Sequence, residues 1–314
     1  MSTADSVSTL CMSRDDWLTY RKRGIGGSDA AAIIGANRYR SPFSVYADKV
    51  GLGLPQPDSP VLELGNVLEP YVADRFARES GMRVRRSNRT YTSRAYPWMM
   101  ANVDRVIVGD NAGLECKTTT RNNNADWDAG EIPPEYYWQC MHYMAVLGYD
   151  HWYLAVLLRD TGEFKWVRIE RDEEQVSLLI QAEQAFWEAH VMRRVPPPTS
   201  GMKDETDALS ALYPGEMSRP DVTDLTDITD MLAHRTRLNA QIKQMQTLSD
   251  SIDQQIKRRM ETSQEGRAGS YRIYWKPVSS HRVDSAMLKR DYPEIYKAVA
   301  KETTSRRFEF KEAK

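Results

Sequence analysis

Hydrophobic and polar positions change period several times along this chain, and each change marks an element. The spacing over Arg14–Arg21 suits a short helix. GIGGSDAAAIIG, residues 24–35, then reads as a glycine-rich turn running into a second short helix capped by Ser28 or Asp29. Leu64, Val67, Leu68, Tyr71, Val72 and Phe76 recur three and four residues apart, which predicts a helix over Glu63–Ser80 with Gly81 as its stop. Strand-like runs follow at Arg83–Thr92, Met99–Val108, Gly113–Thr119, His151–Leu158 and Phe164–Ile169. A helix is expected between the third and fourth, at Pro134–Leu147, and another at Glu173–Met192. Helix, strand meander, helix, strands and helix make an α/β (α+β) plan, with a central mixed sheet flanked by helices.

The pattern then breaks. VPPPTSGMKDETDALSALYPGEMSRPDVTD, residues 195–224, is rich in proline and polar residues and reads as a linker. It divides the chain into a domain over 1–195, a linker over 196–223 and an appendage over 224–314. The appendage opens with one long amphipathic helix, about Asp224–Glu261, whose Leu225, Ile228, Leu232, Leu238, Ile242, Met245, Ile252 and Ile256 run close to a heptad seam. That seam suits packing on its own domain, a coiled coil or a partner-binding arm. Strands at Tyr271–Pro277 and Arg306–Lys311 around a helix at Asp284–Lys301 would form a small β-α-β tail.

Composition narrows the chemistry. Of 314 residues 41% are hydrophobic, enough for a sizeable core, and the net charge is −1. Bulk charge does not point to nucleic acid, so a nucleic-acid binder of this kind must gather its positive charge on one face. Arg21, Lys22 and Arg23 form one local basic cluster, and Arg83, Arg85, Arg86, Arg89 and Arg94 another. Three widely spaced cysteines give no zinc pattern or disulfide framework. The N-terminal residues lack a signal-peptide pattern, and no stretch approaches the roughly 20 apolar residues of a membrane span. A cytoplasmic location, with no membrane partner, is the expectation.

The stretch most informative about chemistry runs from Asn102 to Thr118. Asp104 lies in or at the end of one strand, a turn follows, and Glu115 and Lys117 lie in the next. Residues two apart share a face of a strand, and a hairpin would bring Asp104 beside them. Two carboxylates and an ammonium at a sheet edge suit metal-assisted phosphodiester hydrolysis: the carboxylates hold one or two Mg²⁺ ions, and the lysine orients water and offsets developing charge. The bare pattern is short and common, and by itself it suits an exposed strand with a cross-strand Asp–Lys pair better. Glu69 on the preceding helix could reach a metal, and Gln139 and Tyr143, four residues apart, share a face of the following helix.

These pieces occur in a specific order. WLTYRKRGIGGSDAAAIIG from Trp17, ELGNVLEPY from Glu63, VDR from Val103, LECKT from Leu114 and QCMHY from Gln139 together resemble the YqaJ family of viral recombinases. That family is similar to lambda exonuclease and belongs to the PD-(D/E)XK superfamily with its restriction-endonuclease-like core. The resemblance covers about residues 14–192. It implies that Asp104 and Glu115 are metal ligands, with Glu69 an additional acid at the metal. It makes Lys117 the catalytic lysine, and places Gln139 and Tyr143 at the family's glutamine–tyrosine positions. Arg21 and Ser28 fall where such enzymes hold a 5′-terminal phosphate. It further implies Mg²⁺ (Mn²⁺ substituting) and a 5′-to-3′ exonuclease acting on double-stranded DNA ends. Its 3′ overhangs would pass to a single-strand annealing protein, and the enzyme would be a homo-oligomer, a trimeric ring. A DNA endonuclease with the same centre, and a DNA-binding assembly protein with a degenerate core, are the alternatives. One departure stands out: Arg105 follows Asp104 where relatives carry a small residue.

Overall fold

The computed structural model describes residues 3–53, 59–120, 127, 131–213, 222–301 and 306–311. It divides into two units, Met1–Pro214 with Arg306–Lys314, and Gly215–Ser305.

The first unit is mixed α/β, as its alternating periods predict. Its larger sheet has five strands in the order β3 (Val84–Arg86), β6 (Arg105–Ile107), β7 (Ala112–Thr119), β8 (His151–Leu158) and β9 (Phe164–Glu170). β7 and β8 are parallel and the other pairs antiparallel. Every residue of β8 is buried, because helices cover both of its faces. On one side α4 (Pro60–Ser80) packs Val72, Ala73 and Phe76 against Leu114, Cys116, Tyr153 and Ala155. On the other, α5 (Pro134–Leu147) packs Met141 and Met144 against Trp152, Leu154 and Val156. α4 begins one turn earlier than its apolar stripe suggests, with Ser59 as cap and Pro60 in the first turn. Gly81, at φ +74°, ends it in the left-handed region where glycine carries no steric cost. Leu64, Val67 and Tyr71, expected on its core face, are exposed.

A second sheet runs β1 (Ala4–Ser8), β4 (Arg89–Ser93), β5 (Met99–Asn102) and β2 (Ile25–Gly26). Two predicted strands each divide between the sheets. The run over 83–92 breaks at Asn88, which has φ +48°, and the run over 99–108 breaks between Asn102 and Arg105. Asp104 stands at that second crossing.

α1 (Arg14–Arg21) is capped by Ser13, whose hydroxyl accepts from the Asp16 N–H. α2 (Gly27–Ile33) differs from expectation at its start: Gly26 is the cap, and Ser28 and Asp29 lie inside the helix. The Asp29 carboxylate reaches back to accept from the Gly26 N–H at 2.9 Å. α3 is Pro42–Lys49, and α6 (Glu173–Phe186) continues as a π-helical turn to Met192.

The expected linker contains α7 (Lys203–Leu212), which docks on α3. The Asp204 carboxylate accepts from the Ser41 N–H at 2.7 Å, and from the Ser41 and Ser44 hydroxyls. Ala208 packs with Phe43 and Ala47. Proline-rich composition on either side obscures a short amphipathic helix there. Residues 214–221 of the linker lie outside the described residues.

In the second unit, α8 (Thr229–Met260) runs as the heptad pattern predicts. The β-α-β tail does not form. Instead β10 (Glu265–Ala268) pairs with β11 (Tyr271–Tyr274) across a tight turn at Gly269, φ +58°. α9 (Ser285–Asp291) and α10 (Pro293–Val299) follow, divided by Pro293. Residues 306–311 are not a strand and group with the first unit, where the Arg306 guanidinium donates to the Tyr213 carbonyl at 2.9 Å. The nearer partner wins: a hairpin closes its loop at far smaller entropic cost than a pairing some thirty residues away. Among the described residues no helix is long and apolar enough to cross a membrane.

Candidate active site

β6 and β7 form the hairpin that the sequence requires, pairing Arg105 with Leu114. Asp104 therefore arrives beside Glu115 and Cys116, and its Oδ2 accepts from the Cys116 N–H at 2.9 Å. Alternation along β7 does the rest. Leu114 and Cys116 enter the core beneath α4. Glu115 and Lys117 share the opposite face, with Lys117 Nζ donating to Glu115 Oε1 at 2.6 Å.

Helix α5 closes that face. Gln139 donates to Glu115 Oε1 at 2.7 Å and accepts from Lys117 Nζ at 3.0 Å. Its amide also donates to the Tyr143 hydroxyl at 2.7 Å, which in turn donates to the Asn102 carbonyl at 2.9 Å. Lys117 lies 5.2 Å from the centre of the Tyr136 ring. Four of the six residues named for catalysis thus meet in one hydrogen-bonded network, and Asp104 stands beside it on the Cys116 N–H. Gly27 lets α2 approach it: a Cβ there would come within 2.6 Å of the Tyr143 ring.

The electrostatics are those of crowded negative charge. Burial, then Glu115 and Glu69, push the Asp104 carboxyl well above its ordinary range. Burial also raises Glu115, against the pull of Lys117. Burial alone would lower Lys117, but Glu115 and Asp104 raise it, so it stays an ammonium. The second Glu115 oxygen, Oε2, is buried without a hydrogen-bond partner. An orphaned, desolvated carboxylate oxygen beside a second carboxylate is a donor set suited to a hard cation.

Glu69 is placed differently. Its carboxylate is paired with Arg105, whose guanidinium also donates to the Asp104 carbonyl at 2.9 Å. Glu69 therefore reaches the site as a nearby charge, and among the described residues no three His, Cys, Asp or Glu side chains form a ready ligand set. Arg21 and Ser28 lie next to one another, Nη2 donating to Oγ at 3.1 Å, with the guanidinium 4.7 Å over the Trp17 ring. Ser28 also lines a cleft of about 240 Å³ with Asn37, Tyr39, Arg40, Tyr136 and Gln139, joining this pair to the catalytic network. Of the basic clusters, Arg89 bonds Ser6 and Arg94 bonds Asp5, so both brace β1. Arg85 and Arg86 are exposed on β3, at the sheet edge.

Several supporting residues were invisible in the sequence. Asn102 accepts at Oδ1 from Thr90 at 2.6 Å and from the Trp17 indole at 3.3 Å, tying three elements to the carbonyl that holds Tyr143. His142, next to Tyr143, is wholly buried, with Nδ1 facing Glu183 at 2.8 Å and Nε2 facing the Met100 carbonyl at 3.0 Å. Burial would lower its pKa, but Glu183 raises it. Asp29 is buried too. Burial would raise it, but Lys49 and Arg40 hold it far below the usual carboxylate range. The one sequence signal was polar residues at helix positions that face the core.

Residues 16–150 match the family model described as the YqaJ-like viral recombinase domain. A Bacillus subtilis (strain 168) protein described as uncharacterized protein YqaJ is 38% identical over 305 residues, covering 96% of this chain and 95% of its own length. Two crystal structures of the alkaline exonuclease LHK-Exo of Laribacter hongkongensis superpose with TM-scores of 0.49 and 0.50, the second in complex with dAMP. Both are 20% identical to this chain, covering 58% of it and 94% of the exonuclease. That likeness is one of fold.

Proposed function

Because this chain belongs to the YqaJ-like viral recombinase family, we propose that its first unit is a metal-dependent deoxyribonuclease that resects linear duplex ends from the 5′ side. The observation that carries the reading is the convergence of Asp104, Glu115, Lys117, Gln139 and Tyr143 on one half-buried face, with an orphaned Glu115 oxygen. The alkaline-exonuclease fold supports it.

In this reading Asp104 and Glu115 would hold Mg²⁺ or Mn²⁺, which when bound would supply Lewis-acid activation of the scissile phosphate. Glu69 would join them only by giving up Arg105. Lys117, kept charged by its carboxylate neighbours, offsets charge developing on the phosphoryl oxygens. Gln139, locked between Glu115, Lys117 and Tyr143, fixes the positions of both charged groups. Arg21, stacked on Trp17, and Ser28 receive the terminal 5′-phosphate by a guanidinium fork and a hydroxyl. The cleft between Ser28 and Gln139 gives the strand end a path to the carboxylates. A cytoplasmic setting and hand-over of 3′ overhangs to an annealing protein belong to the same proposal.

End-labelled linear duplexes test it. With Mg²⁺, 5′-phosphorylated ends should be degraded faster than 5′-hydroxyl ends, and Arg21→Ala should abolish that preference. Covalently closed circles should be spared. Cleavage of closed circles would instead establish an endonuclease, and an Asp104→Ala protein as active as the unmodified chain would end the nuclease reading.

A further inference from the structure

α8 is 32 residues long, and Met260 is its one buried residue. Met231, Leu238, Met245 and Ile252 recur at every seventh position, and Ile228, Ile242 and Ile256 complete the seam with Arg235 and Ser249. The exposures are large for aliphatic side chains: Met231 66%, Ile242 65%, Met245 68% and Ile252 58%. A seam of this length on one helix is a surface awaiting a complement.

The charges along the helix say what that complement is. They fall in four blocks of alternating sign: Asp227, just ahead of the helix, with Asp230, then Arg235 and Arg237, then Asp250 and Asp253, then Lys257, Arg258 and Arg259, while Lys243 stands alone between the second and third, at the middle of the helix and off the seam. Reversing the helix direction exchanges every acidic block with a basic one. A second copy laid antiparallel therefore has opposite charge level with each block, whereas an in-register parallel copy sets like charge level with like; most of these charges stand at outer positions, and the sharpest contrast is at Arg235, which a parallel copy would set against its own counterpart inside the seam.

The apolar seam chooses the same register. With Ile242 opposite Met245, the repeat places Met231 opposite Ile256, Leu238 opposite Ser249 and Arg235 opposite Ile252. Each of these layers joins the two seam positions in the manner of antiparallel coiled coils. Arg235 then lies alongside Asp253 of the second copy, on the same flank of the pair, so the charged residue of the seam faces an acid of the other chain. We infer that α8 pairs two copies of this chain as an antiparallel coiled coil centred between Lys243 and Gln244. Whatever assembly the first unit forms, this pairing joins chains in twos.

Sedimentation of the full chain at micromolar concentration should give an even number of subunits. Ile242→Glu with Met245→Glu should halve that mass. Asp253→Arg should weaken the association at least tenfold by setting Arg against Arg235, and adding Arg235→Asp to it should restore the association. Direction is read separately by a spin label on Ala233→Cys in a Cys11→Ser background, since Cys11 is exposed while Cys116 and Cys140 are buried. Antiparallel pairing puts the labels roughly 35 Å apart and parallel pairing roughly 20 Å. A monomer, a mass unmoved by the seam variant, no recovery in the charge swap or the shorter distance would each overturn the inference.

Discussion

Glu115 divides its two oxygens between opposite tasks: Oε1 is held by Lys117 and Gln139, and Oε2 is left buried with nothing to bind. Glu115→Gln and Asp104→Asn each keep the volume and remove the charge. Either should lower nuclease turnover by a factor of about 100 or more with the far-ultraviolet spectrum unchanged. The same two groups set a pH signature. Asp104, raised by burial and by Glu115 and Glu69, keeps its proton in the folded state after the unfolded chain has released it. Folded protein then binds more protons than unfolded, so metal-free stability declines as pH rises above about 4 towards the folded-state value. Thermal melts in chelator should show that decline, and Asp104→Asn should flatten it. Millimolar Mg²⁺ should raise the melting temperature of the unmodified chain at neutral pH, and should not raise that of the Asp104→Asn, Glu115→Gln double variant.

Elements bring these residues together, and here the sequence was legible in part. Strands β7, β8 and β9 and helix α5 follow from periodicity with nearly their predicted bounds, because each is long and bordered by glycine or proline. β1 was not legible: Ala4–Ser8 has little hydrophobicity, and it becomes a strand through pairing with β4 and the Arg94–Asp5 contact. The splitting of 83–92 and 99–108 between two sheets was equally hidden, since a change of sheet alters partners and leaves the side-chain period intact. Helix α5 depends on a polar clamp that no period reveals. His142→Ala should destabilise the fold by about 3–5 kcal/mol in urea titrations, because it strands the buried Glu183 carboxylate. Gly27→Ala, by forcing α2 off Tyr143, should cost about 1–3 kcal/mol and reduce turnover as well. A cost under about 0.5 kcal/mol for both would show that neither contact governs the seating of α5.

For the whole molecule, the boundary of the catalytic unit is the testable matter. α7 lies within the stretch expected to be linker, yet its Asp204 and Ala208 complete the packing of α3. A chain ending at Pro214 should unfold cooperatively in urea with a higher midpoint than one ending at Val195, which strips that cover from Phe43 and Ala47. Equal midpoints would make α7 dispensable. Duplex binding by the full chain should weaken with salt in proportion to the phosphates engaged, and Arg85→Ala with Arg86→Ala should reduce that slope. The modest net charge of the chain does not oppose this, because the exposed arginines of β3 are local.

The pairing of Glu69 with Arg105 carries a consequence for descent. Arg105 is buried on β6 and Glu69 lies nearby on α4, so losing either residue leaves its partner's charge uncompensated next to Asp104. The two positions should be inherited as one character. Among relatives, a small residue after the first aspartate should accompany a Glu69 counterpart free to approach the proposed metal site, and an arginine there should accompany an acid already engaged. Lineages should cross between these states by exchanging both residues together, and a chain caught halfway should be rare.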